Sequence, residues 1–184
     1  YFVVLEKGKD KLVRLGDIAV VRFGIKTGAN EFFYLDREAI EKWGIEEEFL
    51  RPVIKSPREC PRIWLDPWPG LDTCLFVCRT SKAALASTAA LDYITWGESQ
   101  GYHVRPSCRT RSRWWDLGPR EGACVNCGYL VAEVMRFFAR PEPFLVSDNF
   151  QEVHSAVEPA RLAISCNSIA TQLSANVLGR ANFG

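Results

Sequence analysis

The sequence predicts an α+β domain in which a mixed, largely antiparallel twisted sheet carries a few packed helices. Three observations point there. Short runs of β-branched and aromatic residues recur along the chain, separated by Gly and Pro. Two later stretches repeat apolar residues at helical spacing. The 184 residues are 47% hydrophobic and 24% charged, the balance of an ordinary globular domain with a real core. Leu12 to Phe23 reads as strand, turn, strand. Gly24–Asn30 reads as a loop, and Glu31–Leu35 as an aromatic strand. Asp36 is placed to cap a short helix ending at Gly44. Residues 51–72 hold five prolines, which predicts an irregular, extended connection. Thr73–Cys78 reads as a buried strand, with Cys74 and Cys78 as small core side chains. Ser81 is placed to cap a helix running to about Trp96, with Leu85, Ala89 and Tyr93 on one stripe. The segment 102–118 reads as loop plus a short strand. Residues 129–138 and 143–147 read as strands, although Leu130, Val134, Phe137 and Phe138 in the first also fit a helical stripe. Pro159 opens the clearest helix, whose stripe of Leu162, Cys166, Ile169, Leu173 and Val177 ends at Gly179.

Charge is balanced overall, at +1, but unevenly spread. Five arginines and one acid, Asp116, lie between Arg105 and Arg120, whereas the first sixty residues carry eleven acids. Arginine outnumbers lysine sixteen to seven. Its rigid fork suits phosphate and guanine edges, and a GC-rich genome produces the same bias. No apolar run approaches the roughly 18 residues of a membrane-spanning helix, so a soluble chain without membrane contact is expected. Seven scattered cysteines suggest a reduced, cytoplasmic protein. Cys124 and Cys127 have the spacing of half a zinc knuckle. The other half is missing, though Cys60, Cys108 and His103 could complete a tetrahedral set. The chain opens on Tyr1 and not Met, which suggests a piece of a longer polypeptide.

Catalytic signatures are absent. Two histidines leave few candidates for a nucleophile–base pair, no Gly-x-Gly occurs, and no phosphate-cradling loop ends in Gly-Lys. Binding chemistry is better represented. Gly24-Ile-Lys-Thr-Gly-Ala-Asn30 can bring backbone amides and polar heads to a phosphate or base edge, or can be a tight connection using glycine's positive φ. Arg109-Thr-Arg-Ser-Arg-Trp-Trp115, if extended, projects three arginines to one face of a strand, beside indoles that suit either a nucleic-acid backbone or the core.

Several segments, in order, resemble one family. Val13-Arg-Leu-Gly-Asp-Ile-Ala19 followed by Gly24-Ile-Lys-Thr-Gly-Ala-Asn-Glu-Phe-Phe-Tyr-Leu35 resembles the start of the target-recognition domains of TaqI-like, N6-adenine-specific DNA methyltransferases. Phe49-Leu-Arg-Pro-Val-Ile-Lys55, Arg111-Ser-Arg-Trp-Trp-Asp-Leu117 and Leu145-Val-Ser-Asp-Asn-Phe150 are similar to further family segments. Cys166-Asn-Ser-Ile-Ala-Thr-Gln-Leu173 and Gly179-Arg-Ala-Asn-Phe-Gly184 resemble its Leu-Asn-Ser helix and Gly-Arg ending, with Cys166 where leucine is usual.

The resemblance implies a single target-recognition domain over residues 1–184, with 1–11 as linker from a separate N-terminal catalytic domain. That domain of the same polypeptide would bind S-adenosylmethionine and methylate a flipped adenine, so this chain would hold no cofactor and would not catalyse alone. Its partner would be double-stranded DNA, in a bacterial type II restriction-modification system. Positioning contacts are expected from Lys26, Thr27, Arg109, Arg111 and Arg113. Base-edge readers are expected among Asn30, Arg105, Arg109 and Asn149, because Arg reads guanine and Asn reads adenine. Alternatives are a specificity-subunit domain of a type I restriction system, a protein-docking module of a phage-defence complex, or a small zinc-stabilised domain built on Cys124 and Cys127.

Overall fold

A computed structural model describes residues 6, 8, 12–68, 70–128 and 135–168. The described residues contain seven strands: β1 (Ala19–Phe23), β2 (Tyr34–Asp36), β3 (Leu50–Ile54), β4 (Thr73–Phe76), β5 (Ala123–Gly128), β6 (Phe137–Val146) and β7 (Phe150–Ser155). Six α-helices accompany them: α1 (Leu15–Ile18), α2 (Asn30–Phe33), α3 (Arg37–Trp43), α4 (Ala89–Ser99), α5 (Pro106–Arg109) and α6 (Pro159–Cys166). The class is α+β, with strands that are mostly antiparallel, as the sequence predicts. The chain divides into two compact units, Ile25–Ile54 with Gly70–Glu121, and Tyr1–Gly24 with Lys55–Pro69 and Gly122–Gly184.

The second of these units, here the sheet unit, is built on four antiparallel strands in the order β1-β7-β5-β6. Val125 is the register point, opposite Val153 of β7 and Ala139 of β6. A parallel bridge from Trp64 to Ala139 makes the pairing mixed. Alternate strand positions point to one face, so Val125, Cys127, Phe137, Ala139 and Val153 make a common apolar surface. Helix α6 covers it with Leu162, Ala163 and Cys166. That helix begins at Pro159 as expected, and the Glu158 carboxylate accepts from Ala160 N and Arg161 N at its start. Its expected continuation to Gly179 lies outside the described residues, as do 129–134.

The other unit, here the aromatic unit, has a three-stranded antiparallel sheet, β3-β4-β2. Its core is a cluster of rings around Phe32, which stacks on Tyr93 at 4.6 Å and meets Trp114 at 4.6 Å, Phe33 at 5.0 Å and Phe76 at 5.6 Å. Each such pair adds about 0.5–1.5 kcal/mol beyond area burial. The Tyr93 hydroxyl donates to Phe32 O at 2.7 Å, so the buried phenol is satisfied. Gly97 lets α4 lie against these rings, because a Cβ there would come within 2.6 Å of Phe32 and 2.8 Å of Trp114.

Several local expectations hold. The Asp36 side chain accepts from Ala39 N at 2.8 Å, and Gly44 ends α3 in the left-handed conformation. Others give way to longer-range contacts. Residues 15–18 form a helical turn, so Leu12–Phe23 holds one strand and not two. The expected strand Glu31–Leu35 begins as helix α2, because Ala29 O accepts from both Phe32 N and Phe33 N, and only Tyr34–Asp36 is extended. The connection 51–72 opens with β3, in which Val53 and Ile54 are fully buried. The helix expected from Ser81 is a 3-10 turn over Lys82–Leu85, and α4 starts only at Ala89. Ser87 has φ +66, which breaks the run. The Thr88 hydroxyl and the Glu46 carboxylate then accept from the N–H groups of Leu91, Ala89 and Ala90. Finally, β6 is one continuous ten-residue strand through the expected gap before residue 143.

Candidate functional site

Within the aromatic unit, the loop Ile25–Asn30 alternates like a strand. Ile25, Thr27 and Ala29 are buried, whereas Lys26, Gly28 and Asn30 are exposed. The loop is held to the arginine-rich segment some eighty residues further along the chain. Arg111 Nη2 donates to Thr27 O at 2.6 Å and to Lys26 O at 3.2 Å, while its Nη1 donates to Trp114 O at 3.1 Å. Its guanidinium also lies 5.5 Å from the Phe33 ring. Cys108 Sγ contacts Thr27 O at 3.8 Å. Gly28, at φ +77, passes so close that a Cβ would sit 2.5 Å from Ser107 Cβ. Glycine is therefore required there for both its backbone conformation and its lack of bulk.

The other members of the site are arranged around this weld. Thr27 Oγ1 donates to Asn30 Oδ1 and accepts from Ala29 N, so the threonine hydroxyl is buried and used internally. Asn30 itself is exposed. Arg105 pairs with Glu31 at 2.8 Å and lies over the Tyr102 ring at 4.7 Å. The Glu31 carboxyl is held below the ordinary carboxylate range, first by its own backbone N–H and then by Arg105. Arg109 is exposed and, among the described residues, makes no side-chain hydrogen bond or ion pair. It borders an open depression of about 450 Å³, together with His103, Arg113 and Trp115. Two atoms shielded from solvent near this rim, His103 Nδ1 and Arg113 Nε, have no partner among the described residues.

Arg113 is paired with Asp116 at 2.7 Å. Burial works against ionisation of Asp116, but the bonds from Arg113 and Gly118 N win and lower its carboxyl's pKa. Lys82 and Trp114 Nε1 likewise bind Glu98, and they lower its pKa against the opposing effect of burial.

The expected strand bearing three arginines on one face is not formed. Arg109 ends α5, and turn hydrogen bonds from Arg111 N to Cys108 O and from Asp116 N to Arg113 O curl the following residues. Arg109, Arg111 and Arg113 consequently have three different environments. Trp114 and Trp115 are both buried. Asn149 belongs to the sheet unit, in the turn between β6 and β7, where its Nδ2 donates to Lys55 O at 2.9 Å. Sequence reasoning missed Glu31, Tyr102 and Ser107, which position the site through contacts across the fold and carry no local signature.

Cys124 and Cys127 lie in β5 with different neighbours. Cys124 is half-buried and contacts Pro141 O at 3.4 Å, while Cys127 is in the core beside Gln151 Oε1 at 3.8 Å. Burial pushes the Cys127 thiol up to about 12. Among the described residues, no three His, Cys, Asp or Glu side chains gather as a metal site.

The fold is α+β, and within its aromatic unit the Ile25–Asn30 loop and the arginine-rich segment are joined by Arg111. The profile of the family described as type II methyltransferase M.Eco57I, C-terminal domain, matches residues 3–184. The chain belongs to that family. It is also 24% identical, over 131 residues, to the type II methyltransferase M.AccI of Acinetobacter calcoaceticus. The aligned part is 68% of this chain and 24% of that relative, so the chain spans about a quarter of the relative's length. The resemblance to type II restriction-modification methyltransferases is thereby established for a C-terminal domain. No helix among the described residues is long and apolar enough to cross a membrane.

Proposed function

We propose that this domain recognises the DNA target of a bacterial type II adenine-N6 methyltransferase and holds the duplex while the adenine is flipped for methylation. Methyl transfer, with S-adenosylmethionine as donor, falls to the catalytic domain of the same polypeptide, in the cytoplasm. The observation that carries the reading is the weld between two distant segments. It presents exposed Lys26 and Asn30 on one side and Arg105 and Arg109 on the other, on a rigid aromatic base. Rigid placement of cations and amides is what reading a duplex requires.

Within this reading the eight expected residues divide by role. Arg109 and Lys26 contact phosphate. Asn30 and Arg105 reach base edges, with Glu31 holding Arg105 until a guanine competes for its fork. Arg111 and Thr27 position the loop, since their polar atoms are used within the fold. Arg113 borders the same depression, and Asn149 stabilises its own turn. The test is the salt dependence of DNA affinity for the full-length methyltransferase. Arg109→Ala is expected to flatten the slope by about one counterion. An unchanged slope in both Arg109→Ala and Lys26→Ala would remove this face from the DNA interface.

A further inference from the structure

Within the aromatic unit, the depression of about 450 Å³ beside α5 has a one-sided chemistry. Its lining holds the guanidinium groups of Arg109, Arg111 and Arg113, the His103 imidazole and the Ser112 hydroxyl, and no carboxylate. The acids bonded to its walls are already matched. Asp116 pairs with Arg113 at 2.7 Å, and Glu98, which accepts from Trp114 Nε1, pairs with Lys82. Arg109 has no partner among the described residues, so the depression keeps positive charge. Charge of one sign gathered in a concave wall focuses its field on the space enclosed.

The walls also carry donors that the fold does not use. Arg113 Nε and His103 Nδ1 are shielded from solvent and have no hydrogen-bond partner among the described residues. A guanidinium Nε always carries a proton, so the first is an unmet donor. An unmet buried donor calls for an acceptor, which the oxygens of an anion or of its hydration water supply. The Ser112 hydroxyl is exposed at the same wall and makes no bond among the described residues.

Ring exposure decides which part of a nucleotide fits. Trp114 and Trp115 are only 7% and 6% exposed, and their Nε1 donors are spent on Glu98 and on Thr80 O. Base stacking needs an open ring face, which these indoles do not offer. What remains accessible is a guanidinium and a hydroxyl, the groups that bond phosphate oxygens. Arg111 lines the depression and donates to Lys26 O and Thr27 O, so it ties this place to the Ile25–Asn30 loop.

We propose that the depression seats a single phosphodiester of the target DNA, bonded by Arg109 and Ser112, and so sets the register in which the Ile25–Asn30 loop meets the bases. This seat rests on the DNA-recognition reading above and gives one backbone phosphate a fixed place within it.

The test uses the full-length methyltransferase and its target duplex, with backbone phosphates replaced one at a time by uncharged methylphosphonate. One position is expected to weaken binding by the parent about tenfold, the worth of a charge-assisted bond. At that position, and not at others, the replacement should cost both Arg109→Ala and Ser112→Ala less, a non-additivity that marks contact. Both side chains are exposed, so neither variant opens the core. Coupling in only one variant, at scattered positions or at none overturns the seat. If the salt slope of Arg109→Ala is nevertheless flattened, DNA recognition by this face stands without it. An unaltered slope in both Arg109→Ala and Lys26→Ala removes the reading and the seat together. Inorganic phosphate is the other source of the same oxyanion. If, at matched ionic strength, it displaces DNA from the parent better than from Ser112→Ala while no methylphosphonate position couples, the depression takes free phosphate and the seat is overturned.

Discussion

The two units bury their apolar residues in different ways, one around a hub of rings and one in layers. The aromatic unit closes its interior around one hub, Phe32, whose ring touches five other rings. Its loop Ile25–Asn30 and its arginine segment are fastened to that interior by Arg111, which spans the Phe33 ring and the loop carbonyls. The sheet unit instead lays a helix over alternating aliphatic, aromatic and thiol side chains, and leaves one strand largely uncovered. A hub makes a rigid platform whose polar rim can be positioned accurately. A layered sheet spreads its burial along a helix–sheet face instead of around one ring.

The largest expected effect breaks the hub. Phe32→Ala removes a fully buried ring from five aromatic contacts and is expected to destabilise the domain by about 3–5 kcal/mol. Leu162→Ala in α6 removes a buried side chain from the layered core, where helix and sheet can close partly on the gap. A loss nearer the low end of the ~2–5 kcal/mol range is expected there. Denaturant unfolding of both variants checks the ranking, and equal losses would refute the contrast between hub and layer.

Next in size is the weld. Gly28→Ala places a Cβ 2.5 Å from Ser107 Cβ and forces an alanine into φ +77. The combined strain and overpacking are expected to cost about 1–3 kcal/mol. DNA affinity should fall with it, because the loop must move off the arginine segment. Gly44→Ala is the matched control: it shares the left-handed backbone, at φ +63, but has open space around the Cβ. It should cost only the ~1 kcal/mol of backbone strain and leave DNA affinity intact. If Gly44→Ala proves as damaging to DNA binding, close approach at Gly28 is not what matters.

How much of this was legible in the sequence depends on range. Helix α3 was readable because Asp36 and Gly44 act within one turn of the residues they cap. The Thr73 strand and the Pro159 helix start were readable for the same reason. Strand β5 was not, since Ala-Cys-Val-Asn-Cys-Gly has weak strand propensity and is extended because β6 and β7 pair with both of its sides. The aromatic run at Phe32 and Phe33 has the composition of a strand, yet Ala29 O captures both amides and the rings serve the hub. At the site, residue type identified the loop and the arginines. What the type could not reveal is that Arg111 serves the carbonyls of Lys26 and Thr27, because those partners come together only through the fold.

Acid should weaken the aromatic unit's rim. Glu31, Glu98 and Asp116 all have carboxyl pKa values below the ordinary range, held down by hydrogen bonds from backbone N–H groups, Lys82, Trp114 and Arg113. A carboxyl with a depressed folded-state pKa contributes stability that is complete above its unfolded value, roughly pH 4. That contribution is lost as pH falls through the lower folded value. Thermal unfolding midpoints should therefore be level from neutral pH down to about 5 and decline below. Glu98→Gln should lower the plateau and flatten the decline, because the neutral amide neither pairs with Lys82 nor takes up a proton. A decline of unchanged steepness would show that other groups control the acid limb.

The smallest effect on binding, and the sharpest division of labour, concerns Arg111 against Arg109. The sequence places Arg111 and Arg113 with Arg109 among the expected positioning contacts, and each that meets a phosphate is worth about one counterion in the salt dependence. The geometry assigns that outcome to Arg109, whose guanidinium has no partner among the described residues. Arg111→Ala strips the carbonyls of Lys26, Thr27 and Trp114 of a charged donor, a loss of about 1.5–3 kcal/mol in stability where those bonds are shielded. Its salt slope should stay near that of the parent while discrimination between target and non-target DNA falls, because Asn30 is no longer held in place. Arg111→Lys should not restore discrimination, since an ammonium lacks the planar fork that reaches three carbonyls together. A slope reduced by one counterion in Arg111→Ala, with discrimination preserved, would return Arg111 to the phosphate-contacting set and leave the loop to be positioned by Gly28 and Cys108 alone.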